Sequence, residues 1–312
     1  MRPMKAIHDV PAPAKLNLFL HVTGRRSDGM HLLQSAFMLI DWCDVLHFEA
    51  RPDGSISRED LTRPLPADDL VLRAARALQS ASGTRLGAHI GVEKRIPEQA
   101  GMGGGSSDAA TALLALNRLW GTGLQVGELA AIGVSLGADV PFFLGGRNAW
   151  VEGAGEQLRP LELPPARFAV VKPVEGVSTA AVFQDPLLKR DSKAIIAGFA
   201  ANLAGVFGGD PDGVLGENPY GVFGENPYGF GRNDLQPVAE RLCPGVAQAL
   251  QWLRSQGLEG RMTGSGSAVF ARMRNDGILA AAPEGWQVRV CGNLEVHPLA
   301  GWAPSDDSSV AG

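Results

Sequence analysis

Residues 97–110 read PEQAGMGGGSSDAA, a glycine and serine run that opens directly onto a helical pattern. Glycines lack a Cβ, so their backbone can curl closely around an anion with several N–H groups pointing at it. Apolar residues recur behind the run at spacings of four, three and four: Ala109, Leu113, Leu116 and Trp120. This spacing predicts a helix that begins right after Asp108, and a helix N-terminus attracts anions. The run is therefore interpreted as a phosphate-binding loop; the alternative is a flexible linker that ends in a Ser/Asp helix cap.

The residues of the run distinguish it from the common phosphate loops. A P-loop requires GxxxxGK[ST], and no lysine follows these glycines; a dinucleotide loop requires GxGxxG/A, and here serine takes the last place. The protein-kinase triplets HRD and DFG do not occur in the sequence. The pattern P-x-x-x-G-(L/M)-G-G-G-S-S instead resembles the second motif of the GHMP family of small-molecule kinases. That resemblance implies ATP binding by Pro97, Ala100, Gly101, Met102, Gly103, Gly104, Gly105, Ser106 and Ser107.

Composition and charge are typical of a soluble enzyme. With 312 residues, 45% of them hydrophobic, the chain can bury one large core or two modest ones, and we expect two domains. A net charge of −5 argues against a nucleic-acid-binding surface. Three widely spaced cysteines predict neither a disulfide framework nor a zinc site, and the histidines have no metal-ligand spacing. No signal-peptide core or membrane-length apolar run occurs, so we expect a cytoplasmic protein without a membrane partner.

Alternation defines the first predicted strand, which runs from Ala14 to Gly24. Every second residue from Ala14 to Val22 is apolar, so Lys15 and Asn17 are expected together on the other face of a half-buried strand. We then predict, in order, a turn at 24–29, a strand pair near 37–40 and 45–49, a helix over 68–80 and a strand over 88–94.

A proline and a new strand mark the second half of the chain. Pro141 is expected to force Val140 out of helical geometry, because the residue before a proline avoids the helical region. The run ARFAVVKP at 166–173 is interpreted as the first strand of a second domain. We therefore predict a boundary at Pro164-Pro165, with domains over 1–164 and 165–312.

Two segments are predicted to lie outside the packed core. GENPYG occurs at 216–221 and again at 224–229, within a stretch crowded with glycine and proline. Residues 205–232 are therefore predicted to form a surface insertion. The polar tail over 303–312 is predicted to be flexible.

Further motifs extend the family resemblance over most of the chain. PAPAKLNLFLHVTGRRSDGMHLLQS at 11–35 and SLGADVPFF at 135–143 resemble segments of the GHMP branch that phosphorylates a cytidine diphosphate-linked sugar alcohol. RMTGSGSAVF at 261–270, with NDLQPVA at 233–239, is similar to the third family motif. The resemblance implies an α+β, two-domain GHMP kinase fold, with a ribosomal protein S5 domain 2-like N-terminal domain and a ferredoxin-like C-terminal domain. It also implies a step in the non-mevalonate isoprenoid precursor pathway.

The resemblance implies a catalytic pair, Lys15 and Asp139. Asp139 would act as general base on the acceptor hydroxyl, and the Lys15 ammonium would hold it ionised and stabilise the developing alkoxide. Asn17 would orient the acceptor by hydrogen bonds. Mg²⁺ is expected with the nucleotide, and no metal-ligating residue is predicted. Taken alone, an aspartate before Val-Pro is more often a turn former, and a lone strand lysine more often lies on a solvated face.

Recognition of the cytosine is implied for His31, Phe183 and Thr179: His31 by hydrogen bonds, Phe183 by stacking and Thr179 as a neighbour. The alternative is that Phe183 is a core residue and His31 a surface turn residue. Two residues depart from the family pattern. Met30 stands where tyrosine is common, so a second aromatic plate is missing, and Asp69 replaces a common asparagine near the adenine site.

Other functions remain open at this point. The chain could be another GHMP kinase, of the homoserine or mevalonate type, although neither acceptor has a base for Phe183 to hold. It could also be a catalytically silent nucleotide-binding relative, which the presence of both Lys15 and Asp139 disfavours. The sequence leaves the oligomeric state open, with a homodimer as one alternative.

Overall fold

The structure is a computed structural model that describes residues 4–195, 227–273 and 277–306. A six-stranded sheet forms the first half, in the order β3-β4-β2-β5-β6 with β1 paired to β2. Its strands are β1 (Ala6–Arg25), β2 (His31–Arg51), β3 (Ile56–Asp60), β4 (Gly87–Glu93), β5 (Ala149–Glu152) and β6 (Gln157–Pro160). All pairs are antiparallel except β3 with β4.

The predicted strand pair at 37–40 and 45–49 is wrong, because β2 is one continuous strand across both segments. Its pairing with β1 shifts register between Pro13 opposite Cys43 and Ala14 opposite Ile40, which marks a β-bulge at Asp41 and Trp42. A bulge adds residues to one strand without ending it. The bulge lies between the two segments that were predicted as separate strands.

β1 is buried on both faces, so the prediction of a half-buried strand is also wrong. Leu16 and Leu18 pack with Phe168 of the second half of the chain in one apolar cluster. On the other face, Lys15 and Asn17 are enclosed, although their side chains are polar. Burial of a lysine requires compensating partners, and these partners define the site described below.

Helices cover the first sheet: α1 (Leu70–Ser82), α2 (Gly104–Trp120), α3 (Val126–Leu136) and α4 (Val140–Gly145). The predicted apolar stripe of α2 is buried. The helix begins within the glycine run, earlier than predicted, because Gly103 at its N-cap adopts a left-handed conformation with φ of +71°. The prediction that Val140 lies outside a helix is wrong. Pro141 occupies the first turn of α4, where a missing N–H costs no hydrogen bond.

The second half of the chain forms a four-stranded antiparallel sheet in the order β10-β7-β9-β8. Its strands are β7 (Arg167–Lys172), β8 (Gly260–Met262), β9 (Val269–Met273) and β10 (Gln287–Gly292). The helices of this half are α5 (Thr179–Gln184), α6 (Gln236–Leu242) and α7 (Pro244–Ser255). The chain passes between the sheets within 161–166, the stretch that contains the predicted domain boundary.

The described parts of the predicted insertion and tail each contain a buried residue. Tyr228 is 5% exposed, and its hydroxyl donates to the carbonyl of Pro164. Ala303 is also 5% exposed, and the Val126 N–H donates to the Pro304 carbonyl at 3.0 Å. Gly229, Gly231, Arg232 and residues 304–306 are exposed, and the surface insertion and the flexible tail stay predictions. The rest of those two predictions, over 205–226 and 307–312, lies outside the described residues. No helix in the described part of the chain is long and apolar enough to cross a membrane.

Candidate active site

A single cavity of about 860 Å³ brings the predicted site residues together. It is lined by the glycine run, by Lys15 and Asn17 of β1 and by Asp139 at the start of α4. Thr179 and Phe183 of α5 line it from the second half of the chain, opposite His31 of β2. Every predicted site residue except Ser107 contributes to its wall. The two halves of the chain thus enclose one space that combines a phosphate-type loop with acid, base and aromatic groups.

Ser107 faces away from this cavity. Its side chain is buried, and its hydroxyl donates to the Pro13 carbonyl at 2.7 Å. The Ser107 hydroxyl therefore joins α2 to β1, and the predicted role of Ser107 in ATP binding stays a prediction. Ser106 does line the cavity.

The glycine run lies directly against the catalytic candidates. The Lys15 N–H donates to the Met102 carbonyl at 3.0 Å, so the loop continues the hydrogen bonding of β1. Gly101 has a φ of +69°, and a Cβ there would lie 2.3 Å from the Thr263 carbonyl oxygen. Only glycine permits so close an approach in this conformation. The N-terminal turn of α2 begins at the same place, with N–H groups that have no intrahelical acceptor.

Lys15 and Asp139 form an ion pair within the cavity. The Lys15 Nζ lies 3.7 Å from the Asp139 carboxylate, and the two side chains are 5% and 29% exposed. Burial lowers the pKa of Lys15, while the Asp139 charge and hydrogen bond partly oppose that shift. Asp139 is the N-cap residue of α4, but its side chain makes no capping hydrogen bond. The carboxylate is therefore directed to Lys15, which argues against the turn-former interpretation.

Asn17 makes hydrogen bonds within the protein through its side-chain amide and its backbone N–H. Its side-chain oxygen accepts from the Lys15 ammonium, and its Nδ2 donates to the Ser35 hydroxyl at 3.0 Å. Its backbone N–H donates to the Thr263 hydroxyl at 2.9 Å. The amide therefore orients Lys15. The predicted role of Asn17 in orienting the acceptor stays a prediction. Ser35 and Thr263 are functional candidates that the sequence analysis missed, since neither stands out in a pattern.

At the far end of the cavity, His31 contacts Phe183. Their ring centroids are 5.0 Å apart, with an interplanar angle of 39°. The His31 Nε2 accepts from the Arg190 guanidinium at 3.1 Å, a contact that the sequence analysis also missed. Thr179 and Ser265 share a hydrogen bond of 2.7 Å between their hydroxyls. This end of the cavity is aromatic on one wall and polar on the other, as a planar heterocycle requires.

The two departures from the family pattern have distinct environments. Met30 is 49% exposed and lines the cavity next to His31. Asp69 is the N-cap of α1: its carboxylate accepts from the Leu72 N–H at 3.1 Å and pairs with Arg58 at 2.7 Å. The Asp69 carboxylate therefore has a structural use as well as a place in the cavity wall.

A buried charge cluster joins the two ends of the loop, and its members Lys94 and Asp108 line the cavity. The Lys94 ammonium contacts both the Asp44 and the Asp108 carboxylates, and Asp44 also accepts from the Ile96 N–H at 2.7 Å. These contacts join the end of β4, where the loop begins, to the first turns of α2, where it ends. Burial raises the pKa of Asp108 to about 8, although Lys94 opposes the shift. The described residues contain no group of three or more His, Cys, Asp or Glu that could hold a metal ion.

Comparisons with known proteins identify the family. The sequence matches the GHMP kinases N terminal domain over residues 69–147 and the GHMP kinases C terminal domain over residues 216–287. It is 64% identical to 4-diphosphocytidyl-2-C-methyl-D-erythritol kinase of Albidiferax ferrireducens, over 98% of this chain and 99% of the relative. It is 63% identical to the enzyme of the same name from Variovorax paradoxus, over 96% and 100%.

The chain belongs to the 4-diphosphocytidyl-2-C-methyl-D-erythritol kinase family of GHMP kinases.

Solved structures agree with this assignment. A crystal structure of 4-(cytidine 5'-diphospho)-2C-methyl-D-erythritol kinase matches with a TM-score of 0.66 and 34% identity, over 90% of this chain and 98% of that one. A homoserine kinase from Cytophaga hutchinsonii matches with a TM-score of 0.65 at 17% identity, over 95% and 97%, which shows the shared fold alone. The predicted α+β GHMP kinase fold is confirmed, and the chain is an ATP-dependent kinase. The predicted domain boundary and the roles of the site residues stay predictions.

Proposed function

We propose that this kinase transfers the γ-phosphoryl group of ATP to the 2-hydroxyl of 4-diphosphocytidyl-2-C-methyl-D-erythritol, which gives the 2-phosphate and ADP. One observation is the main support for this proposal. The Lys15–Asp139 pair lies in the same cavity as the glycine run and the His31–Phe183 rings, so a donor, an acceptor hydroxyl and a base can be held together. Relatives with this name are more than 60% identical over nearly the whole chain.

ATP is assigned to the glycine run. The backbone N–H groups of the loop and of the first turn of α2 would hold the phosphates, because the helix dipole and unpaired donors favour anions there. Mg²⁺ would enter with the nucleotide, held by phosphate oxygens, water and the Ser106 hydroxyl in the cavity wall. When bound, the ion neutralises phosphate charge.

The acceptor hydroxyl is assigned to the space beside Asp139. Its proton passes to the Asp139 carboxylate while its oxygen forms a bond to the γ-phosphorus and the bond to the β–γ bridging oxygen breaks, which releases ADP. The Lys15 ammonium stabilises the negative charge that develops on the attacking oxygen and the transferred group. Asn17 holds Lys15 in place through their hydrogen bond.

The cytidyl group is assigned to the far end of the cavity. Phe183 supplies a ring for stacking and His31 supplies a hydrogen bond, with the Thr179–Ser265 hydroxyl pair nearby. A homoserine or mevalonate kinase would have no ligand group for this ring pair, so those activities fit the cavity less well. The proposed site comes from one chain, so catalysis requires no second copy.

The reaction is placed in the cytoplasm, where ATP is abundant and thiols stay reduced. Cys43, Cys243 and Cys291 are all free, which suits a reducing compartment. The proposed place of the reaction is the non-mevalonate route to isoprenoid precursors.

A coupled assay of ADP release tests the proposal. The purified kinase is supplied with Mg·ATP and, in parallel reactions, with 4-diphosphocytidyl-2-C-methyl-D-erythritol, mevalonate or homoserine. We expect turnover with the cytidyl substrate alone, and the phosphorylated carbon is located by phosphorus–carbon coupling in NMR spectra. Turnover with mevalonate or homoserine, and none with the cytidyl compound, would refute the proposal.

A further inference from the structure

We infer that Arg190 is a positioning residue of the cytidyl end of the cavity: its guanidinium fixes His31 in the tautomer that carries its proton on Nδ1, and so makes the ring a hydrogen-bond donor to the substrate's base. This inference rests on the proposed function for the identity of the ligand. The tautomer itself follows from contacts within the protein and can be measured without any ligand.

The direction of the hydrogen bond decides the tautomer. The Arg190 Nε–H lies 3.1 Å from the His31 Nε2. A guanidinium has donors only, so Nε2 must accept and cannot carry a proton. A neutral imidazole has one protonated nitrogen, and in His31 that nitrogen is therefore Nδ1. No hydrogen bond is recorded for the His31 Nδ1 among the described residues, and the side chain lines the cavity.

The rest of the guanidinium is committed to the backbone around Phe183. Its two terminal nitrogens donate to the carbonyls of Phe183 at 2.9 Å, Asp185 at 2.8 Å and Leu188 at 3.1 Å. All three acceptors lie in or just after α5. One side chain therefore holds the segment that presents the Phe183 ring and, at the same time, the His31 ring from the other sheet. The 5.0 Å ring contact depends on this bridge.

The charges around His31 support the same state. Burial lowers the pKa of His31, and the Arg190 and Arg25 guanidinium groups lower it further. A proton on Nε2 would point at the Arg190 cation, so the ring stays neutral where an ordinary histidine begins to protonate. The acceptor atoms of a pyrimidine, its carbonyl oxygen and its unprotonated ring nitrogen, match an Nδ1 donor. A base that offers only a donor at this position would be rejected, because it would cover the Nδ1–H and give it no acceptor.

Arg25 provides a matched control. It is a second cation near His31, but its Nε donates to the Gly29 carbonyl at 2.9 Å and makes no recorded bond to the imidazole. Arg25→Met therefore removes a charge and leaves the Arg190 bond in place. Arg190→Met removes the bond as well, and Arg190→Lys keeps a positive charge but cannot bridge His31 and the α5 carbonyls with a planar fork.

The first measurement is the tautomer of His31 in long-range proton–nitrogen NMR spectra of the ¹⁵N-labelled full chain, with the signal assigned by His31→Gln. We expect the Nδ1–H form in the wild type and in Arg25→Met, and loss of its dominance in Arg190→Met and Arg190→Lys. An Nε2–H form in the wild type, or an unchanged Nδ1–H form in both Arg190 variants, would overturn the inference. Melting temperatures show whether each variant is folded. If Arg190→Met is unfolded, the tautomer of His31 in Arg190→Lys decides the question.

The second measurement separates the ligand from the positioning role. For Arg190→Lys we expect the KM for the cytidyl substrate to rise about tenfold, as expected for the loss of one hydrogen bond to a charged group, with the KM for ATP unchanged. Equal rises in both KM values would overturn the inference. A wild type that is inactive on the cytidyl substrate would refute the proposed function, while the NMR result would still decide the role of Arg190.

Discussion

The Lys15 ammonium lies 3.7 Å from the Asp139 carboxylate, and it donates a hydrogen bond to Asn17 on the same strand. Lys15 comes from the middle of β1, and Asp139 comes from the N-cap of α4. The glycine run is part of the same arrangement, since the Lys15 N–H donates to Met102. The base, the cation and the phosphate loop are therefore held by one connected set of contacts, and disturbing one member should affect turnover more than folding.

The Asp139 carboxylate is the proposed base, so Asp139→Asn should lower kcat by roughly a hundredfold or more, because an amide keeps the volume but cannot accept the proton. The KM for ATP should change little, since the loop is untouched. Steady-state kinetics measure both constants. Asp53→Asn, in an exposed turn, is the control for the loss of one negative charge. Wild-type kcat in Asp139→Asn would exclude Asp139 as the base.

Lys15 should produce an alkaline limit of kcat below the pH at which an ordinary lysine titrates, because burial lowers its pKa from 10.5. The protonated form is the one that stabilises transition-state charge, so activity is lost as pH rises through the folded-state pKa. Lys15→Arg keeps the charge at every accessible pH and should move this limb to higher pH, although its kcat at pH 7 is reduced. Lys15→Met should lower kcat more than it raises the KM for ATP. If kcat fell at the same alkaline pH in the wild type and in Lys15→Arg, the titrating group would be one other than Lys15.

Gly101→Ala should destabilise the fold more than Gly121→Ala. Both glycines have positive φ, +69° and +65°, so both substitutions carry the same backbone strain, of about 1 kcal/mol. A Cβ at Gly121 meets nothing within 4 Å, whereas a Cβ at Gly101 would lie 2.3 Å from the Thr263 carbonyl oxygen. The difference between the two free energies of unfolding, measured in urea, isolates the contact between the loop and the second half of the chain. Equal losses in the free energy of unfolding would mean that the Thr263 carbonyl moves away from the added methyl group without an energetic penalty.

Periodicity in the sequence predicted the helices around the loop because their apolar side chains recur at helical spacing. The stripe of Leu113 and Leu116 is an example, and both are fully buried. It failed where burial comes from a distant part of the chain. Lys15 alternates as an outward-facing residue, yet the glycine run and Asp139 enclose it, which no local sequence pattern shows.

The site was predictable only in part for the same reason. Spacing placed Lys15 beside Asn17, but the contact of Lys15 with Asp139 followed from the family resemblance, since the two residues are far apart in the chain. Arg190 and Thr263 act through tertiary hydrogen bonds. Nothing near Arg190 in the sequence marks it, and the motif at 261–270 does not reveal the contact of Thr263 with Asn17. Asp108 was read as part of a helix start, whereas its pairing with Lys94 depends on how β4 meets α2.

The free energy of unfolding of Asp108→Asn, relative to that of the wild type, should rise as pH increases from about 4 to about 8. Burial raises the pKa of Asp108 to about 8 from the 3.8 of an unfolded aspartate. Between these values the folded state binds a proton that the unfolded state lacks, so the wild type loses stability as pH rises. An uncharged amide does not titrate, and the difference should level off above pH 8.

Asp53→Asn is the control, because hydrogen bonds to Ser55 lower the pKa of Asp53. The difference in the free energy of unfolding between Asp53→Asn and the wild type should therefore not change with pH above pH 5. A flat difference for Asp108→Asn would mean that Lys94 holds Asp108 ionised.

Met30 should become a second aromatic contact for the substrate when it is replaced by tyrosine. The side chain is 49% exposed in the cavity wall, and its backbone is fixed by a turn, since the Met30 N–H donates to Asp28 at 3.0 Å and its carbonyl accepts from Arg26 at 2.8 Å. Met30→Tyr should tighten cytidyl-substrate binding by about 0.5–1.5 kcal/mol, the worth of an aromatic pair. Met30→Leu, which adds no ring, should leave the affinity for the cytidyl substrate unchanged.

Titration calorimetry measures the affinities for the cytidyl substrate and for ATP. The affinity for ATP should be the same in the wild type and in both variants. If Met30→Tyr tightened the binding of ATP as well, the effect of the ring would not be specific to the cytidyl group. If Met30→Leu tightened the binding of the cytidyl substrate, apolar contact rather than an aromatic ring would be the cause.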